Sequence, residues 1–301
     1  MAELQEAFPE VSVRRLCALL GLSRSWWHER ARPREPDAAA VMLRDAIEGI
    51  VLEFPGYGYR RVTHALRREG WTINTKRVLR VMREESLLCQ LKRRFVVTTD
   101  SRHGFPRYPN LLRERVVDGP NQAWVADLTY VRLPTEFVYL ATILDVWSRR
   151  CVGWDLSRHI DTDLTLAALE CAIAMRSPAP GLIHHSDHGV QYASTRYVAR
   201  LEQRGAQISM AAVGNPYQNA LAESFFATLK REEVSLHDYQ SYAEAEANLE
   251  RFIDEVYNHK RLHSSLGYRP PSEFEALCHD ERDDDDFWEG TTNLPLTLVR
   301  S

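Results

Sequence analysis

The run Trp124-Val-Ala-Asp127-Leu-Thr-Tyr-Val131 has the apolar, β-branched and aromatic make-up of a buried strand, yet it carries a carboxylate in its middle. A charge in that setting is expensive unless it is paired or bound to a metal, so the run demands a fold that brings a partner to it. The arrangement returns in Leu182-Ile-His-His-Ser-Asp187-His-Gly-Val-Gln-Tyr192, where an apolar start leads to an Asp at the strand end and then to a Gly turn. A third acid, Glu223, stands in Gly214-Asn-Pro-Tyr-Gln-Asn-Ala-Leu-Ala-Glu-Ser-Phe-Phe-Ala-Thr-Leu-Lys230, a loop running into a helix. Gly214, Asn215 and Pro216 break the preceding strand and Asn219 can cap the helix. Glu223 then falls in the first turn, where any carboxylate favours the positive end of the helix dipole. Lys230, seven residues on, shares its face, while Phe225, Phe226 and Leu229 point toward a core.

Around these acids the pattern predicts strands at 123–131, 137–145 and 149–157, a helix at 162–176, a strand at 182–186, a helix at 194–204, a strand at 207–210, and the Glu223 helix. Three consecutive strands suit an antiparallel meander, and the later alternation suits parallel additions. A long helix follows from Tyr242 to His259, with Ala245, Leu249, Phe252, Ile253 and Val256 as its apolar stripe. Acids at strand ends and on a neighbouring helix can converge. Three convergent carboxylates raise one another's pKa unless a divalent cation neutralises them, and hard oxygen ligands suit magnesium or manganese rather than zinc. Two such ions about 3.5–4 Å apart can activate a water or a 3′-hydroxyl and stabilise the leaving oxygen of a phosphodiester.

Taken together, Trp124-x-x-Asp127-x-Thr-Tyr, His184-His-Ser-Asp187-x-Gly-x-Gln-Tyr192 and Gly214-Asn-Pro-Tyr-x-Asn-Ala-x-Ala-Glu223-Ser-Phe-Phe resemble the DDE transposases of the insertion sequence 3 family, the product of their second reading frame. Asp187 and Glu223 are separated by 35 residues, the interval that this family and retroviral integrases share, and Asp127 and Asp187 by 59. Asp145-Val-Trp-Ser-Arg-Arg-Cys-Val-Gly-Trp154 and Tyr257-Asn-His-Lys-Arg-Leu-His-Ser-Ser-Leu-Gly-Tyr-Arg-Pro-Pro-Ser-Glu-Phe274 extend the likeness, which covers roughly residues 10 to 275. Gln218 and His188 depart from the usual Asp and Arg of the family; neither is one of the three acids. The resemblance implies a ribonuclease H-like α/β catalytic core with a mixed sheet, preceded by small all-α helix-turn-helix domains. It also implies Asp127, Asp187 and Glu223 as catalytic residues holding two Mg2+ (or Mn2+) ions per active site. Lys230 would contact DNA near the reacting end, and Asn215, Tyr217 and Asn219 would shape the loop over it.

The net charge of −4 looks wrong for a DNA-binding chain until it is divided: residues 1–118 carry a net +7, 119–275 a net −6 and 276–301 a net −5. A basic front half suits phosphate contact and an acidic middle suits metal. At 301 residues and 44% hydrophobic content the chain can bury a core of two or three domains. No apolar run approaches the roughly 20 residues that span a bilayer, and the N-terminus lacks a signal peptide's basic start and apolar segment, so a cytoplasmic, nucleoid-associated bacterial protein is expected. The five cysteines are scattered without a C-x-x-C pair and are expected as small buried apolar residues.

In the front half, Ser12 can cap a helix to Leu20, Gly21 turns, and Ser23 caps a second helix with Arg24, Trp26, Trp27 and Arg30, a layout that also occurs in proteins that never touch DNA. Pro33 and Pro36 mark a linker. Gly56-Tyr-Gly-Tyr59 precedes a helix from about Arg60 to Glu69; Gly70 turns, and Asn74 or Thr75 caps a helix to about Glu85. There Val78, Val81 and Met82 face inward, and Lys76, Arg77, Arg80 and Arg83 present a recognition surface for DNA. Residues 91 to 118, with Lys92, Arg93 and Arg94, suit an extended linker along a phosphate backbone. His259 and His263 lack a third ligand and, with Lys260 and Arg261 between them, suit DNA contact or a surface cluster better than zinc; one of His184 and His185 could position a metal water or a phosphate. The Asp280–Asp286 run is expected to be a solvated tail.

The expected order is thus a helix-turn-helix at 1–35, a second such domain at 36–90, a basic linker at 91–118, the catalytic core at 119–275 and an acidic tail at 276–301. The expected function is transposition: binding of the terminal inverted repeats in double-stranded DNA, 3′-end cleavage, and strand transfer. Two DNA ends imply at least a dimer, and family members act with an upstream product bearing a helix-turn-helix and leucine zipper. A hydrolysis-only nuclease of the same fold and a catalytically silent DNA-binding regulator are the alternatives.

Overall fold

The computed structural model describes residues 9–25, 38–89, 108–113, 115–211 and 219–277. Lys92, Arg93, Arg94, Asn215, Tyr217, most of the helix expected from Ser23 and the acidic tail lie outside the described residues. The chain falls into two compact units, Met1–Ile50 and Val51–Ser301. In the first, α1 (Val13–Leu19) starts at Ser12, whose hydroxyl accepts from the Arg15 N–H at 3.4 Å, and buries Leu16 and Cys17. A helix that the pattern reading passed over, α2 (Ala38–Glu53), begins in this unit and buries Leu43, Ile47 and Ile50 at a spacing of four and three.

The second unit opens with α3 (Tyr59–Arg68) and α4 (Thr75–Glu84). Gly70 adopts φ +91° between them, a left-handed turn that a Cβ would strain. Asn74 caps α4, its side chain accepting from the Lys76 N–H at 2.8 Å, while Val62, Leu66, Val78 and Met82 are fully buried. The core follows as β1 (Ala123–Arg132), β2 (Phe137–Asp145), β3 (Cys151–Ser157), α5 (Thr162–Arg176), β4 (Ile183–Ser186), α6 (Thr195–Gln203), β5 (Gln207–Met210), α7 (Ala220–Leu229) and α8 (Tyr242–Glu250). Past their ends α7 and α8 widen into π turns at Lys230–Val234 and Arg251–Lys260.

The sheet order is β3-β2-β1-β4-β5; β1 to β3 are antiparallel, and β4 and β5 run parallel to β1. This meander with parallel additions is the ribonuclease H-like mixed sheet. Alternate residues of β1 feed opposite layers: Val125 and Val131 pack with Phe225, Leu229, Leu249 and Phe252 of α7, α8 and its π extension, and Trp124, Ala126 and Leu128 with Leu164, Ala168 and Tyr197 of α5 and α6. The strand expected from 149 begins only at Cys151, because buried Asp145 holds a turn there. Its carboxylate accepts the Asn121, Trp147 and Ser148 N–H groups at 2.7, 3.0 and 2.9 Å. The edge of β3 is closed by the buried amide of Asn258, which accepts from the Cys151 N–H and donates to the Cys151 carbonyl, both at 3.0 Å, and so stands in for a strand.

Gly153 in β3 lies so close to α5 that a Cβ would sit 2.4 Å from the Ala168 carbonyl oxygen and 2.7 Å from the Ala172 Cβ. Gly153→Ala should therefore destabilise the fold by about 1–3 kcal/mol, read as a lower denaturant midpoint at unchanged m-value. An unshifted midpoint would mean that this helix does not pack on the sheet so tightly.

Candidate active site

Asp127 has the parity of Val125, so it projects from β1 toward the α7 layer. It is half-buried, and one carboxylate oxygen accepts the Leu128 N–H at 2.8 Å. Parallel pairing sets Ser186 of β4 opposite Ala126, so Asp187 leaves its strand one step further on, beside Asp127. Its oxygen accepts the Gly189 N–H at 3.0 Å, and a Cβ on Gly189 would come within 2.9 Å of that oxygen. Glu223 lies exposed in the first turn of α7.

The start of α7 is tied to the strand by Asn219. Asn219 occupies the cap position, but its side chain makes no cap bond; the amide instead donates to the Ala126 carbonyl at 3.4 Å. The reason is burial, which turns the side chain from its own helix toward β1. Lys230, at the start of the π turns, places its ammonium 5.0 Å from the centre of the Tyr130 ring. Burial lowers its pKa and the Asp127 carboxylate opposes that, so Lys230 and Asp127 are electrostatic partners.

These placements act on Asp127 in a definite direction. Burial, then the charge of Asp187, and further down that of Glu223, push its carboxyl up to about 8, against the Leu128 N–H and Lys230. The phenol of buried Tyr192 also feels Asp127 and Asp187, after burial and Tyr197, and its hydroxyl has no hydrogen-bond partner. The Asn219 Oδ1 is likewise buried without one. Among the described residues no three His, Cys, Asp or Glu side chains are drawn close enough to hold a metal ion. The Asp127 carboxyl feels the charges of both Asp187 and Glu223. In kind, an all-carboxylate set with a proton held to about pH 8 and unpartnered polar atoms beside it fits a hard divalent cation.

Lys76, Arg77, Arg80 and Arg83 all stand exposed on α4; Arg80 makes only a loose 3.9 Å pair with Glu84. Lys260 is exposed, 3.4 Å from Glu53. Arg261, expected at a DNA surface, is instead buried: its guanidinium grips Glu232 with two bonds of 2.7 and 2.9 Å. Burial opposes both charges, yet this grip holds the Glu232 carboxyl below its usual range. His263 is buried too, pushed down to about 3 by burial and the neighbouring arginines, so it forms no surface cluster with exposed His259. His184 and His185 are core residues bonded to the Tyr197 hydroxyl at 3.0 Å and the Ser209 hydroxyl at 2.8 Å, which takes both rings away from phosphate or metal water. Of the cysteines, Cys17 and Cys151 are buried as expected, whereas Cys89 and Cys171 are exposed, since neither sits on the buried face of its segment.

Sequence reading missed the work of Gly56-Tyr57 ahead of α3. The Tyr57 hydroxyl accepts from the Leu262 N–H at 2.7 Å, and a Cβ on Gly56 would fall 2.2 Å from the Glu232 Cγ. With His64 stacked on Tyr268 at 3.6 Å and Arg68 paired to Glu273 at 2.5 Å, these contacts fasten α3 to the segment after α8. The available signal was the Gly-Tyr repeat itself, two small residues alternating with two large amphipathic rings.

The HTH-like domain profile matches residues 39–95, and two integrase core domain profiles match residues 117–216 and 204–271. Over 246 residues the chain is 37% identical to the transposase for insertion sequence element IS904 of Lactococcus lactis subsp. lactis (strain IL1403), covering 81% of this chain and 97% of that one. Over 272 residues it is 34% identical to transposase InsF for insertion sequence IS3A of Escherichia coli (strain K12), covering 88% and 94%. A superposition on the simian T-cell lymphotropic virus intasome, at 16% identity and covering 82% and 78% of the two chains, has a TM-score of 0.46. The strand order, the matched profiles and relatives of this identity over nearly their full length have one reading: the chain belongs to the insertion sequence 3 family of transposases, an HTH-like domain ahead of an integrase core.

Proposed function

We propose that this transposase binds the terminal inverted repeats of its element as double-stranded DNA, cleaves to free a 3′-hydroxyl, and drives that hydroxyl into a second phosphodiester. Asp127, Asp187 and Glu223 are the catalytic carboxylates, and they would hold two Mg2+ (or Mn2+) ions. Bound there, the ions supply Lewis-acid stabilisation of the phosphodiester and an activated hydroxyl. The observation that carries the reading is Asp127, a carboxyl set mid-strand against two further carboxylates and held protonated to about pH 8. Lys230 steadies Asp127 and offers its remaining donors to the DNA near the reacting end, with Asn215, Tyr217 and Asn219 shaping the loop ahead of α7. The exposed cations of α4 read the ends; Lys92, Arg93 and Arg94 follow the backbone and Lys260 adds a phosphate contact. Synapsis of two ends requires at least a dimer, and an upstream helix-turn-helix and leucine-zipper product is a candidate partner.

Incubation of the full chain with labelled precleaved ends and magnesium should give strand-transfer products, and hydrolysis alone would favour the nuclease alternative. Asp127→Asn should lower both cleavage and transfer by about a thousandfold or more while leaving end binding intact; retained activity would point to a silent regulator's structural acid. Arg77→Ala should weaken binding to the ends about fivefold or more. If competitor duplex suffers equally, Arg77 contacts phosphate rather than a base edge.

A stability measurement tests the electrostatics separately. Asp127 keeps its proton to about 8 when folded, against 3.8 ordinarily, so the folded chain binds more protons within that window and stability falls as pH rises through it. Asp127→Asn lacks this loss, and in metal-free buffer its Tm relative to the parent should climb between pH 4 and pH 8. A flat difference across that range would disprove the burial of this charge.

A further inference from the structure

A cavity of about 90 Å3 opens between α3, α7 and the segment after α8, and three of its walls are the guanidinium groups of Arg61, Arg149 and Arg261. It also presents the hydroxyls of Ser224 and Thr228 and the His263 ring. The charge here is unbalanced. Arg61, Arg231 and Arg261 converge on the single carboxylate of Glu232, at 3.5, 2.7 and 2.7 Å. Arg149 makes no ion pair among the described residues, although it is close enough to Tyr257 and His263 to disfavour further positive charge there. Three arginines sharing one carboxylate, with Arg149 lining the same cavity as two of them, leave a surplus of positive charge that a cation or an apolar ligand would not relieve and an oxyanion would. A water needs only about 10–15 Å3 of such space, so the cavity has room for a tetrahedral oxyanion. The hydroxyls and the neutral imidazole add donors without adding charge.

We infer that this cavity seats a backbone phosphate of the DNA, gripped by Arg61 and Arg149 one residue along α7 from Glu223, with the Glu232-bound Arg261 adding charge behind them. One wall is α7 itself, through Ser224 and Thr228, so the cavity opens on the same helix that carries Glu223. Arg61 belongs to α3, so a single phosphate would engage the HTH-like part and the core together and set the register of the strand between them. The seat rests on the reading of the chain as a DNA transposase, and deepens it by naming where the strand is held.

Arg149 adopts φ +61°, a backbone conformation that glycine favours, so Arg149→Gly removes the guanidinium without straining the turn. With the full chain in calcium buffer and duplex ends, the slope of log binding constant against log salt should fall by about 0.9 in Arg149→Gly, with affinity weakened about eightfold near 0.1 M salt. Arg149→Lys should recover most of the slope. A glycine variant with the parental slope overturns the seat while leaving the transposase reading intact. If the parent fails to bind ends at all, that reading is what fails, and a second arm still decides the seat. Inorganic phosphate, compared with chloride at equal ionic strength, should raise the Tm of the parent and not that of Arg149→Gly. An equal rise in both, or none in either, overturns the proposal.

Discussion

A strand covered on both faces has no natural place for a charge, yet β1 carries Asp127 at its centre, and much of the molecule is arranged around that conflict. The parity of the strand decides the side on which the carboxylate emerges. Because Val125 shares that parity and packs under α7, Asp127 meets the helix that carries Glu223 and leads into Lys230. Parallel pairing with β4 then delivers Asp187 from the neighbouring strand. Each step is backbone geometry, and the accumulated cost is visible in the proton that Asp127 retains to about pH 8. Such a site is biased toward neutrality.

A second constraint joins α3 and α4 to the core. The Arg261–Glu232 pair is almost wholly buried, and removing one partner of such a pair costs about 3–5 kcal/mol because the other charge is left unmatched. Gly56, Tyr57, His64 and Arg68 dock around it, so the helix ahead of the candidate reader α4 is anchored to the same segment that closes the edge of β3 through Asn258. A basic residue in a nominal DNA-contact segment thus does structural work, and neighbouring arginines inherit a surplus of charge.

How much of this was legible beforehand differs by residue. The strands and helices of the core were readable because of their burial, near-continuous along β1 and at a spacing of four between Ala245 and Leu249 in α8. The mid-strand Asp127 could be singled out because a charge in such a run has no bland explanation. By contrast, α2 was passed over although Leu43, Ile47 and Ile50 keep helical spacing, since charged residues and Gly49 dilute the stripe. Asn219 looked like a helix cap because Asn so often is one, and only its burial against β1 redirected the amide to Ala126. His184, His185 and His263 carry the chemistry of ligands on paper, but their function depends on what surrounds them, and each is enclosed in the core.

What the amino-acid order alone determined was the elements of the core, the three acids and their spacing, and the basic residues of α4, because local propensity and periodicity are properties of neighbours in the chain. What only the tertiary structure decided was which charges meet. Arg261 turned inward to Glu232, Lys230 came within reach of the Asp127 charge, and Arg149 came to line one cavity with Arg61 and Arg261. Electrostatic partners are chosen by distance through space and by exclusion of water, and neither is written along the sequence.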